Sequence, residues 1–188
     1  MSSILTTPPA VEPVSLAEAK AHLRIGHADE DAMISGLIIA ARRHAEAHTG
    51  LALISQGWSH FRDDWPEGGV VELPLSPLIA VTQVKTWGED DVAAIIDPAH
   101  YYTDWISRPA RLLLRGSRVW ARPGRIGNGI EILLTVGFGA TAADVPAELR
   151  QAILDLVAHW HAQRGDEAET GLPLTVATVI ERFREKRL

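Results

Sequence analysis

Apolar positions recur at helical spacing in two regions of the chain, with a β-like region between them. After Ser15, the apolar positions Leu16, Ala19 and Leu23 form one narrow stripe. Ser15 and Glu18 have the spacing of a capping box, in which each side chain satisfies a backbone N–H of the opening turn. Arg24-Ile25-Gly26 is expected to end this first helix, because glycine accepts the left-handed conformation that closes helices. Asp29, Glu30 and Asp31 then crowd the start of a second helix, where negative charge meets the positive end of the macrodipole. Met33, Ile34, Leu37, Ile38 and Ala41 form its buried face, and Thr49-Gly50 closes it. A third stripe, Leu149, Ile153, Leu156, Val157 and Trp160, runs down to Gly165 and is expected to pack on the second helix. Asp144 is its expected cap, with Pro146 near the first turn, where a missing donor costs nothing.

Between Gly50 and Gly137 the period changes. Strands are expected around Trp58-His60-Phe61, at Val70–Leu73, from Ile79 to Trp87, at Arg111–Arg115 and at Ile130–Val136, with two short ones within 92–106. Asp63 to Gly69 reads as a loop, Leu73–Leu78 as a proline-stiffened turn, and Trp120–Gly129 as a further loop. Strands of this length with regular turn signals suggest a small antiparallel sandwich or barrel inserted between helices. The fold class is therefore α+β, read as one domain. An extended arm covers 1–14, a helical hairpin 15–50, the β insertion 51–140, a long helix 141–165, and a linker with tail helix 166–188.

That tail has its own pattern. Asp166, Glu167 and Glu169 form an acidic linker, and Thr175–Leu188 reads as an amphipathic helix with Val176, Val179, Ile180 and Phe183 on one face. Arg182, Arg184, Lys186 and Arg187 outweigh Glu181 and Glu185. A short apolar stripe behind a polar linker needs a covering surface, which belongs either to this chain or to another one.

Composition adds exclusions. The 188 residues include no cysteine, so disulfides and thiol catalysis are out. No apolar run is long enough to span a membrane, and the first residues lack the basic start and long apolar core of a signal peptide. A formal net charge of −6 argues against a general nucleic-acid coat. His44 and His48 are i,i+4 on one helix and His159 and His161 lie on another, but no third ligand has motif spacing, so exposed helix histidines are the simpler reading. The acidic cluster at 29–31 is explained by its helix start. No phosphate-binding loop or nucleophile elbow occurs, and neither a catalytic set nor a cofactor or metal site is expected. Arg108, Arg111, Arg115, Arg118, Arg122 and Arg125, interleaved with Trp105 and Trp120, are the more suggestive group. They read either as a solvated basic hairpin or as a surface for phosphates or an acidic protein; Trp105, Arg111, Arg115, Trp120 and Arg122 are the candidate contacts.

The runs SLAEAKAHLRI and DEDAMISGLIIAARRHAEAHTG resemble the opening of the tailed-phage head–tail connector (adaptor) family, with Leu16, Lys20, His22, Leu23, Arg24, Asp31, Ala41, Glu46, Thr49 and Gly50 at the expected places. LPLSPLIAVTQV resembles its Leu-Pro-x-x-Pro-Leu strand, and GFGATAADVPAELRQAILDLVAHWHAQRGD its closing helix. The last twenty or so residues match loosely. The resemblance implies a non-enzymatic ring, typically of twelve copies, in the neck of a phage or phage-like gene transfer particle assembled in the bacterial cytoplasm. Its partners would be itself, the portal protein, the next neck, stopper or tail protein, and double-stranded DNA passing without specific binding, with no membrane. On this reading Val176, Val179, Ile180 and Phe183 anchor the tail on the portal, while Arg182, Arg184 and Arg187 meet acidic portal surface. The alternative is a nucleic-acid or protein binding module using the 108–125 hairpin.

Overall fold

A computed structural model describes residues 1–163 and 172–184. The expected acidic linker residues Asp166, Glu167 and Glu169, and the tail residues Glu185, Lys186, Arg187 and Leu188, lie outside the described residues. Two compact units result: Met1–Pro9 with Ser55–Gly137, and Ala10–Ile54 with Phe138–Leu188.

The second of these is helical. Its α1 spans Leu16–Leu23 and opens with the expected capping box: the Ser15 hydroxyl accepts from the Glu18 N–H, and Glu18 Oε2 accepts the Ser15 N–H at 2.8 Å. Its end differs from expectation. Arg24, not Gly26, takes the left-handed conformation (φ 58°), its N–H reaching Ala21 O while the Ile25 N–H reaches Lys20 O at 2.9 Å. This double closure returns Ile25 to the core, so the turn falls one residue before it. The long α2, Asp31–Thr49, closes on left-handed Gly50 (φ 76°). In α3, Ala147–Ala162, the first-turn cap is Pro146. Asp144 instead closes a 3₁₀ turn over Ala142–Asp144, accepting the Thr141 N–H at 2.8 Å and its hydroxyl at 2.9 Å. Finally α4 spans Leu174–Phe183. Val14, Ala19, Ile34, Ile38, Ala41, Leu53, Leu149, Ile153, Leu156 and Val157 make the core of this unit.

The other unit is built from two antiparallel sheets. One runs in the order β1 (Ser2–Thr7), β2 (Gln56–Arg62), β8 (Ile130–Val136), β4 (Leu78–Trp87), β5 (Ala93–Ile95); the other runs β3 (Val71–Glu72), β7 (Arg111–Leu114), β6 (Tyr101–Asp104). Strand β8 is central, and Ile130, Ile132, Leu134 and Val136 bury the face that period-2 alternation assigns them. The extended arm is a strand: β1 pairs along β2 with Ser3 opposite His60.

Candidate interaction surfaces

The arginine-rich segment is not one hairpin. Arg111 opens β7, and Gly116 to Gly129 form a long connection to β8. Most of its arginines are tied into their own unit. Arg111 Nη2 pairs with Asp104 Oδ2 at 2.7 Å, Arg115 Nε donates to Tyr101 O at 3.0 Å, and Arg118 Nη1 donates to Arg115 O at 3.3 Å. Arg125 bridges Asp91 at 2.6 Å and lies 4.5 Å over the Trp87 ring. Arg108 and Arg122 stay exposed and make no ion pair among the described residues.

The two tryptophans separate. Trp120 is half-buried, stacked on Trp65 with ring centroids 4.2 Å apart. Each indole N–H donates to the other's loop: Trp120 Nε1 to Gly69 O at 2.7 Å, Trp65 Nε1 to Ala121 O at 2.8 Å. The pair is a clasp between the 63–69 loop and the 116–129 connection. Beside it opens a cleft of about 550 Å³ lined by Trp65, Val70, Leu113, Leu114, Val119 and Trp120, with Asp64, Arg118 and Arg122. Trp65 escaped the sequence reading, since its partner stands 55 positions away (120 − 65).

Trp105, by contrast, is 54% exposed and Ile106 93%. They sit on the β6–β7 turn, which a single carboxylate holds. Asp104 accepts the N–H groups of Ile106 (3.0 Å) and Ser107 (3.1 Å), the Ser107 hydroxyl (2.6 Å) and Arg111. The Ser107 hydroxyl and the Arg111 guanidinium hold that carboxyl well below the usual range.

In the helical unit, α4 finds its covering surface in its own chain. Val176 and Ile180 are 1% and 5% exposed and pack on Ala152 of α3, while Val179 and Phe183 are half-buried against the same helices. Arg182 and Arg184 are exposed, and Arg187 lies outside the described residues.

His48 is exposed as expected, whereas His44, His159 and His161 are half-buried. His44 is half-buried, stacked on His48 at 4.0 Å and edge-on to Trp160; burial and then its neighbour His48 lower its pKa. His161 reaches Glu30 at 2.7 Å. Asp31 bridges Lys20 at 2.5 Å, so two members of the acidic cluster serve helix packing. No group of three metal-ligating side chains occurs among the described residues, and no described helix is long and apolar enough to cross a membrane.

Residues 13–96 match the family model of the Phage gp6-like head-tail connector protein. Among solved structures, one chain from the neck of an empty GTA particle computed with C6 symmetry is 29% identical, with TM-score 0.86, covering 100% of this chain and 97% of its own. A chain from the virion of a native gene transfer agent particle matches equally well, and one from the native neck computed with C12 symmetry gives TM-score 0.79 over 98% of this chain. No curated protein matches the sequence.

Proposed function

We propose that this chain, whose residues 13–96 match the model of the phage head-tail connector family, is a neck subunit that closes into a ring of twelve beneath the portal. The ring carries the DNA channel onward and docks the next neck or tail protein. The observation that carries this reading is the end-to-end likeness to the gene transfer agent neck chain, across both units and at 29% identity. The family and these neighbours are structural proteins, not enzymes, in keeping with a candidate surface made of loops, indoles and guanidiniums.

Because Val176 and Ile180 are buried inside this chain, the portal contact proposed for the tail narrows to its outer face. Arg182 and Arg184, with Arg187 beyond the described residues, meet acidic portal surface, and Val179 and Phe183 seal the edge. The net charge of −6 suits a channel past which DNA slides without adhering. Reversing Arg182 and Arg184 to Glu is expected to abolish co-purification with the portal while the chain stays folded by circular dichroism. Undiminished portal binding by that variant would remove the tail from the contact.

A further inference from the structure

Arg118 and Arg122 differ from the other arginines of the 111–125 stretch in what they face. Arg111 and Arg125 each hold a carboxylate, and Arg115 donates to Tyr101 O and lies 5.4 Å from the centre of the Tyr102 ring. Arg118 donates to a neutral carbonyl, Arg115 O, and neither it nor Arg122 makes an ion pair among the described residues. Both line the cleft beside the Trp65–Trp120 stack. Asp64 lines it too, but its Oδ1 accepts the Trp65 N–H at 2.8 Å, and among the described residues its carboxylate pairs with neither arginine. The cleft is net positive on a chain whose formal charge is −6.

Much of the remaining lining is apolar. Val70, Leu113 and Leu114 are half-buried in it, and Val119 is 88% exposed, an aliphatic side chain that gains by being covered. A second cleft of about 400 Å³ shares Leu114, Arg118, Val119 and Trp120 and adds Ile96 and His100, so Arg118 borders both. The walls are held in advance: reciprocal indole hydrogen bonds tie the 63–69 loop to the 116–129 connection, and an occupant does not have to order them. At about 550 Å³ the first cleft has room for a short run of side chains. A phosphate chain would satisfy the guanidiniums but leave the aliphatic lining uncovered. Nor is Trp120 a free platform for a base, because it stacks on Trp65 and has Tyr101 beside it with ring centroids 6.3 Å apart. Carboxylates flanking an apolar side chain match both halves of the lining.

From these features we infer that the cleft receives an acidic segment of a partner protein, with an aliphatic or aromatic side chain seated among Val70, Leu113, Leu114 and Val119 and flanking carboxylates on Arg118 and Arg122. This inference rests on the docking of the next neck or tail protein proposed above, and gives that contact a surface and a chemistry.

The probe is a dye-labelled peptide, Glu-Asp-Leu-Phe-Asp-Glu, titrated with the full chain and read by fluorescence anisotropy. It is expected to bind about tenfold or more tightly than Gln-Asn-Leu-Phe-Asn-Gln and than Glu-Asp-Ala-Ala-Asp-Glu, and to weaken as salt is raised. Arg118→Glu combined with Arg122→Glu, both exposed, is expected to weaken it by about tenfold or more. Arg108→Glu, equally exposed but outside the cleft lining, is expected to leave its affinity unchanged. Equal binding of the three peptides, or no binding by any, would overturn the inference. So would an oligothymidine that binds as tightly and is lost in the same double variant, since the cleft would then be a phosphate site. Assembled on the portal, the double variant is expected to lose the next neck protein of its own particle. If that protein still docks, the inference falls and the connector reading stands. If the wild-type assembly recruits no such protein, the docking reading falls, and the peptide result alone decides the cleft.

Discussion

Arg42 is 7% exposed, and its charge survives there because Glu12 holds Nε at 2.8 Å and Glu46 holds Nη1 at 2.6 Å. Burial alone would lower its pKa; the two carboxylates outweigh that and raise it. Glu46 also accepts the Leu53 N–H at 2.9 Å, so one cluster pins residue 12, the end of α2 and the following segment. Arg42→Ala is expected to cost about 3 kcal/mol in urea unfolding, because Glu12 and Glu46 would both lose their guanidinium partner in a partly buried place. In the sheet unit His60, 2% exposed, has its pKa pushed down to about 4, chiefly by burial and then by the nearby Arg62 charge. The unfolded chain binds that proton near pH 6.5 and the folded chain only near 4, so stability is full above 6.5 and falls as pH drops between the two. The loss expected is on the order of 2 kcal/mol, and His60→Gln should flatten that part of the pH–stability curve. An unchanged slope in the variant would assign the acid sensitivity elsewhere.

At the scale of elements, two termini are informative. Arg24 occupies a left-handed position that disfavours a side chain, so Arg24→Gly is expected to raise stability by about 1 kcal/mol, read as a higher thermal midpoint. Helix α4 is held by Val176 and Ile180 on Ala152. Ile180→Asp is expected to free residues 174–183 to exchange their amide hydrogens rapidly while α3 keeps its protection; equal loss of protection in both would mean that α4 is integral to the helical core.

These cases also mark what the sequence carried. Ser15–Glu18 and the alternation over 130–136 were legible because their determinants lie within one turn or one strand. The left-handed Arg24 was not, since which residue turns depends on Ile25 returning to a core made by distant helices. The β1 arm was legible as extended but not as a strand, because its partners, 57–61, lie about fifty positions on. The arginine-rich stretch read as a hairpin, whereas only Arg111–Leu114 is a strand and the residues after Gly116 form a long connection. Its cleft exists through the Trp65–Trp120 stack, and no local period announces a contact between two loops so far apart in sequence.

At the scale of the molecule, a 29% identical neck chain matched over the full length, a family match over residues 13–96 and an acidic net charge converge on a structural role in a particle neck. The proposed portal contact uses the outer face of α4, where Arg182 and Arg184 are open to charge reversal without disturbing a core. The most direct measurement is the native mass of the purified chain, alone and mixed with the portal protein of its own particle. The expected result is a single species at a closed multiple of the 20.5 kDa chain, twelve copies when the portal is present. A chain that stays monomeric and leaves the portal's mass unchanged would contradict the connector account.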